Sequence, residues 1–224
     1  YVAVKVLGPD LARDHRAFQT LEAEARKAQR LAHPNVIHIH DFDRDGAHAF
    51  VVMELLEGRD LAGILAEEGP LPFERVRRIV GPVCAALSHA HALGVIHADV
   101  KPGNVFVGTD GTVKVLDFGI ASAKGLSGFD VSTLGSFTSG YASPDVLKGR
   151  PQTERDDVYA LGCTVYEALA GRHPFSSRHA LDAIALGLAL ERDRRFESVE
   201  AFQRAFERRG PLARLFARRE SAAR

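Results

Sequence analysis

Cysteine is scarce in this chain. Only Cys84 and Cys163 occur among 224 residues. Both fall in helix-like segments, which argues against a disulfide framework and for a reduced, cytosolic compartment. Charge bias is also missing. Lys+Arg and Asp+Glu both count 29, so nothing pulls the whole chain toward nucleic acid or a membrane surface. No uninterrupted apolar run is long enough to span a bilayer, and no signal peptide opens the sequence. An initiator Met is lacking and the first residues already read as a strand, so a fragment of a longer sequence is expected. What is plentiful is apolar surface: hydrophobic residues make up 46%, enough for a substantial core in one large domain or two small lobes.

Polar chemistry concentrates in one stretch, His97-Ala98-Asp99-Val100-Lys101-Pro102-Gly103-Asn104. Pro102 disfavours the helical region for Lys101 and pushes it to an extended conformation. Positions two apart in an extended segment point the same way. Asp99 and Lys101 are therefore expected on one side of a loop, a base beside a cation. Two strand-like runs follow, Val105-Phe106-Val107 and Val113-Lys114-Val115-Leu116, with the hairpin signal Asp110-Gly111 between them. A two-residue turn centred there sets Asn104 opposite Asp117, with Cβ atoms roughly 5 Å apart. An amide oxygen and a carboxylate at that spacing suit a hard cation such as magnesium. The plain alternative, that Asn and Asp merely punctuate strand ends, is the better reading of either residue alone. Beside Asp99 and Lys101 it loses ground.

The rest of the chain supplies a frame. Residues 1–7 read as a Val-rich strand ended by Gly8-Pro9. A helix is expected from about Asp14 to Ala32, with Leu21, Glu24, Ala28 and Leu31 on one face. Glu24 interrupts that stripe, and an unpaired buried carboxylate would be costly; a boundary glutamate reaching solvent is the bland reading. Two strands, Val36–Phe42 and Ala49–Met53, are expected around a turn at Asp45-Gly46. The histidines there lack supporting carboxylates or cysteines and read as surface residues. A long helix is expected over Phe73–His91, with Val76, Ile79, Val80, Val83, Leu87 and Ala90 inward. Pro82 in its middle predicts a kink or break, at a cost of about 3 kcal/mol. After Gly119 a Ser/Thr/Gly-rich loop runs to Ser143, longer than most and of a kind that is often functional. An apolar helix then opens at Asp157 and ends near Ala170.

His97-Ala98-Asp99, Asn104 and Asp117-Phe118-Gly119 together resemble the catalytic loop and metal-binding motif of eukaryotic-type protein kinases. Lys101-Pro102 matches the Ser/Thr-specific form. The resemblance covers nearly the whole chain and implies an α+β, bilobal kinase-like fold: a partial N-lobe over 1–57, a C-lobe over 58–210 and a basic tail over 211–224. It implies that Asp99 accepts the substrate hydroxyl proton, that Lys101 stabilises the moving phosphoryl group, and that Asn104 and Asp117 hold Mg2+. Val2-Ala3-Val4-Lys5 is similar to the strand whose lysine holds the ATP phosphates; Glu24 would pair with Lys5, and Ala3 would touch adenine. Met53-Glu54-Leu55-Leu56 resembles the hinge, with Met53 as gatekeeper and the backbone of Glu54 and Leu56 on the adenine edge. Asp60 is placed for ribose, and Phe106 joins the ATP-binding set. Thr138 matches the threonine that contacts the catalytic Asp and Lys. Tyr141 to Asp145 looks like the motif closing the activation segment, with Asp145 in place of Glu and Arg195 as its partner. The shorter Asp predicts a looser pair. Asp157 would anchor the catalytic-loop backbone.

The likeness has gaps. The Gly-rich loop that precedes Lys5 in the family is missing, and the stretch from Phe175 to Arg195 is too short for the usual substrate-docking helix. Ala98 replaces the arginine that pairs with a phosphorylated activation loop, so weak dependence on loop phosphorylation is expected. The implied activity is ATP-dependent phosphorylation of protein Ser/Thr hydroxyls in the cytoplasm, by the chain itself or as the cytosolic part of a larger protein. The rivals are a kinase-like scaffold without phosphotransfer and a small-molecule kinase; Lys101-Pro102 and the Tyr141–Asp145 motif favour protein substrates. No nucleic-acid partner is implied. Membrane association would need segments outside this sequence or the tail, where Leu212, Leu215 and Phe216 sit among basic residues; a frayed terminus is the simpler reading.

Overall fold

The computed structural model describes residues 1–6, 15–46, 48–118, 140–174, 189 and 191–208, with the side chains at 15–17, 20, 21 and 24 outside that description. Strand β1 (Val2–Val6), helix α1 (His15–Gln29), β2 (Ile39–Asp45) and β3 (His48–Glu54) come first. The strands form an antiparallel sheet in the order β1-β3-β2. Along β1, Val2, Val4 and Val6 are exposed while Ala3 and Lys5 are half-buried. The period of two puts Ala3 and Lys5 on one face. Helix α1 buries Ala25 and Ala28 and stops before His33-Pro34, short of the expected end.

The second strand begins later than the sequence suggests. Val36 and Ile37 are buried against a different sheet: Val36 bridges Val115, the Ile37 N–H donates to the Val115 carbonyl at 3.0 Å, and the Val115 N–H donates to the Asn35 carbonyl at 2.8 Å. That stitch joins the N-terminal layer to the second sheet, made of β4 (Gly58–Asp60), β5 (Val105–Gly108) and β6 (Val113–Val115) in the order β4-β5-β6. Gly58 sits at φ +150°, and a Cβ there would meet the Val107 carbonyl at 2.2 Å, so only glycine admits this approach.

Below lie α2 (Leu61–Glu68), α3 (Phe73–Ala92), the short α4 (Pro144–Leu147), α5 (Glu154–Ala170) and α6 (Val199–Glu207). Helix α3 buries all six predicted inward residues, together with Cys84 and Ala86. It continues through Pro82 as one helix, so of the expected kink or break the break does not occur. Gly81 carries no Cβ to clash with the proline ring, and the packed face holds the turn. Helix α5 is buried along most of its length and carries a capping box between Thr153 and Asp156. Cys84 and Cys163 are free and buried, and burial pushes each thiol up to about 12. Among the described residues no helix is long and apolar enough to cross a membrane.

The β5–β6 hairpin corrects the expected register. Val105 pairs with Val115, Phe106 with Lys114 and Val107 with Val113. Asn104 therefore faces Leu116, whose N–H donates to the Asn104 carbonyl at 2.9 Å, and not Asp117. The loop holds three residues: the Gly108 N–H donates to Thr112 at 2.8 Å and the Gly111 N–H to Gly108 at 3.0 Å, with Gly111 at φ +83°. Asp110-Gly111 thus fill the later positions of a three-residue loop whose αL residue is glycine.

Candidate active site

The loop from His97 to Asn104 is fixed from below before it presents any side chain. Asp157, 1% exposed, accepts from the His97 and Ala98 N–H groups at 2.8 Å each, as expected of a backbone anchor. Its Oδ2 also lies 2.8 Å from His91 Nε2 on α3. Ala98 sits at φ +68°, a region that costs a non-glycine residue about 1–2 kcal/mol; the buried acceptor offsets that strain. His97 is fully buried, with its ring 4.5 Å from that of Phe118. Nε2 is 2.8 Å from the Leu116 carbonyl, so it carries the proton, which leaves Nδ1 to accept from the Asp99 N–H at 3.1 Å.

Asp99 and Lys101 do face one way. Lys101 is extended (φ −162°, ψ 164°), and its Nζ lies 2.7 Å from Asp99 Oδ2. Asn104, in the 3₁₀ turn Pro102–Asn104, donates through Nδ2 to the Asp99 carbonyl at 2.8 Å and to Asp99 Oδ2 at 3.1 Å. With its nitrogen committed, the amide oxygen is the group Asn104 retains for a cation.

Asp117 follows β6 at φ +59°. The left-handed turn compensates for the shifted register and brings its carboxylate to Lys5 Nζ on β1. The expected partner of Lys5 was Glu24. Glu24 lies in α1, but its side chain, like Thr138 and the whole stretch 119–139, is outside the described residues. The oxygens of Asn104 and Asp117 are the hard donors magnesium prefers. Among the described residues no cluster of three or more His, Cys, Asp or Glu could hold a metal.

Among the positions expected to enclose a base, Ala3 lies directly opposite Met53 across β1–β3, and Phe106 lies between Asp60 and Lys114 in the second sheet. Asp60 caps α2, accepting from the Gly63 N–H at 2.8 Å. The Glu54 N–H donates to the His38 carbonyl at 3.0 Å, so any contact of its backbone with a base edge falls to the carbonyl. Leu56 is half-buried just beyond β3. The sequence reading missed the role of the Glu54 side chain. Its Oε1 accepts from Lys114 Nζ and from the His38 N–H, both at 2.7 Å. Burial opposes its charge, but Lys114 and His38 outweigh that and hold the carboxyl below its usual range. The available signal was a lone lysine between the buried valines of β6.

Farther down, Arg195 Nη2 meets Asp145 Oδ2 at 2.7 Å. That is an ordinary length for a charge-assisted bond, so the shorter side chain has not loosened the pair.

This arrangement has counterparts among known proteins. The model of the protein kinase domain family matches residues 1–206. The chain belongs to this family. It is 42% identical over 180 residues to a probable serine/threonine-protein kinase of Corynebacterium efficiens, covering 78% of this chain and 27% of that one. It is 36% identical over 230 residues to the serine/threonine-protein kinase PknB of Mycolicibacterium smegmatis, covering 88% and 37%. The chain thus spans well under half the length of these curated relatives. The crystal structure of the Mycobacterium tuberculosis PknI kinase domain superposes with a TM-score of 0.76 at 28% identity, covering 93% of this chain and 86% of that one. The architecture is accordingly the bilobal α+β kinase fold, with a sheet-rich N-lobe and a mainly helical C-lobe.

Proposed function

We propose that this chain is the catalytic domain of a serine/threonine protein kinase, which moves the γ-phosphoryl group of ATP to a protein Ser or Thr hydroxyl. The observation that carries the reading is the clamped Asp99 carboxylate, with Lys101 Nζ at 2.7 Å and Asn104 Nδ2 at 3.1 Å. A carboxylate held that way can accept the hydroxyl proton as oxygen attacks phosphorus, while the neighbouring ammonium meets charge on the transferred group. Such catalysis is mainly placement and electrostatics. Asn104 and Asp117 would hold Mg2+, which neutralises phosphate charge. Lys5 would exchange Asp117 for phosphate oxygens, with Glu24 as its partner in that state. Ala3, Met53, Glu54, Leu56 and Phe106 would enclose the base, Asp60 would serve the ribose, and Thr138 would complete the contacts of Asp99 and Lys101. Relatives named as serine/threonine-protein kinases support the choice of protein hydroxyls.

The test is incubation of the full-length protein with γ-labelled ATP and a Ser/Thr-rich carrier protein. Magnesium-dependent label on Ser or Thr, absent in Asp99→Asn, is the expected result. Stabilisation by ATP and magnesium without any transfer would replace the proposal with a kinase-like binding module. Label confined to the acid-soluble fraction of a cell extract would point to a small-molecule kinase.

A further inference from the structure

The end of the activation segment is held by a carboxylate that the kinase resemblance did not single out. Asp156, 6% exposed, is the N3 residue of α5. Its Oδ1 accepts from Ser143 Oγ at 2.6 Å and from Arg195 Nη1 at 2.9 Å. Its Oδ2 accepts from the Thr153 N–H at 2.8 Å, Thr153 Oγ1 at 2.9 Å and Arg192 Nη2 at 3.0 Å. Burial opposes charge on Asp156, but the hydrogen bonds from Ser143 and Thr153 and the charge of Arg192 outweigh it and keep the carboxyl below its usual range.

The arginine explains why a second carboxylate is needed. The Arg195 side chain is 0% exposed, and all three guanidinium nitrogens are spoken for: Nε on the Ala189 carbonyl at 3.0 Å, Nη2 on Asp145 and Nη1 on Asp156. A guanidinium fork can take both oxygens of one carboxylate. Here Asp145 takes one nitrogen only, and its other oxygen goes to Arg150 Nη1 at 2.7 Å. Asp156 supplies the second half of the fork and, through Ser143, ties it to the chain immediately before α4.

We propose that Asp156 is a positioning residue: it fixes the carboxyl end of the activation segment, compensating for the methylene that Asp145 lacks, and so sets how a protein substrate lies against Asp99. This rests on the kinase reading for its functional consequence but not for its structural one. Both can be measured on the full chain with Asp156→Asn, which keeps size and removes charge, and with the double variant carrying Asp145→Glu. Amide exchange over 140–150 should quicken at least about fivefold in the single variant while that over 97–104 stays unchanged. The KM for protein substrate should rise by about fivefold, with the KM for ATP within about twofold. Asp145→Glu should reverse both effects, because the two sites share Arg195. Unchanged exchange over 140–150, an equal rise over 97–104, parallel changes in the two KM values, or no reversal would each overturn the proposal. A single variant without a cooperative melt that the double variant does not restore would overturn it too, leaving Asp156 as a purely structural hub. The exchange measurement needs no activity, so an inert wild type would remove the kinase reading and still leave this inference decided.

Discussion

Two ion pairs in the candidate site are built in opposite ways. Asp99–Lys101 lies within one loop, two residues apart, over a buried foundation of Asp157, His91 and His97. Lys5–Asp117 joins a strand of the N-lobe to the end of a strand in the second sheet, and Lys5 keeps 39% of its side-chain surface exposed. The first pair is pre-organised by local covalent geometry. The second depends on how two layers meet, and one partner must be surrendered if Asp117 is to hold a cation. The contrast separates a fixed loop centre from an exchangeable contact, and substitutions can test each half.

The largest effect belongs to the fixed half. Asp99→Asn should lower phosphotransfer kcat by at least about 100-fold, the contribution typical of a positioned base; a loss below about tenfold in steady-state assays would remove that role. Next comes the foundation. Asp157→Ala leaves the buried His97 N–H and the partly buried Ala98 N–H without acceptors, and Ala98 without support at its positive φ. A loss of roughly 3 kcal/mol in denaturant unfolding is expected, at about 1–3 kcal/mol per orphaned donor. Little change there would mean the loop holds its own shape. The exchangeable half should behave differently. Lys5→Met removes a half-exposed pair and should cost stability under about 1 kcal/mol. It should nevertheless reduce the magnesium-ATP thermal shift sharply. An unfolding penalty like that of Asp157→Ala would erase the distinction.

The smallest effect is in pH dependence. His33 stacks on His89 at 5.1 Å, between the N-lobe and α3. Burial first, then the His89 and Lys114 charges, hold its pKa below the ordinary histidine value. A depressed histidine contributes stability above its unfolded pKa of about 6.5 and loses that contribution as pH falls. Glu54, Asp145 and Asp156 are depressed carboxylates, so their contribution holds above about pH 4 and is lost below it. Melting curves should therefore show a shallow decline of roughly a degree or two from pH 7 to 5, then a steeper one. His173 is held low by burial as well and shares the upper step, so His33→Asn should reduce that step and leave the lower one unchanged. Flattening of both would mean the two regions titrate together.

Legibility in the sequence followed range. The faces of α3 and the side shared by Asp99 and Lys101 came from the helical and extended periods, which neighbours along the chain define. The hairpin was visible but its register was not. A two-residue and a three-residue loop around Asp110-Gly111 fit the same letters, and Thr112 decides between them by pairing back to Gly108 and Asp110. A kink or break was expected at Pro82 because local propensity was read without the packed face that holds α3 together, and the break is absent. Of the Glu54–Lys114 contact the sequence offered only the lone lysine of β6 and not its partner, since the two are sixty positions apart.

Asp156 and Asp157 show where the division falls. The sequence by itself set two adjacent carboxylates at the start of an apolar helix, and it set the base, cation and amide within eight residues of loop. Successive helix residues are rotated by about 100°, so the two carboxylates had to diverge. Which one would meet the loop of His97 to Asn104 and which the buried arginine depended on the elements packed against α5. Tertiary structure alone made that choice, because both carboxylates are buried and each takes the donors its own side of the helix provides.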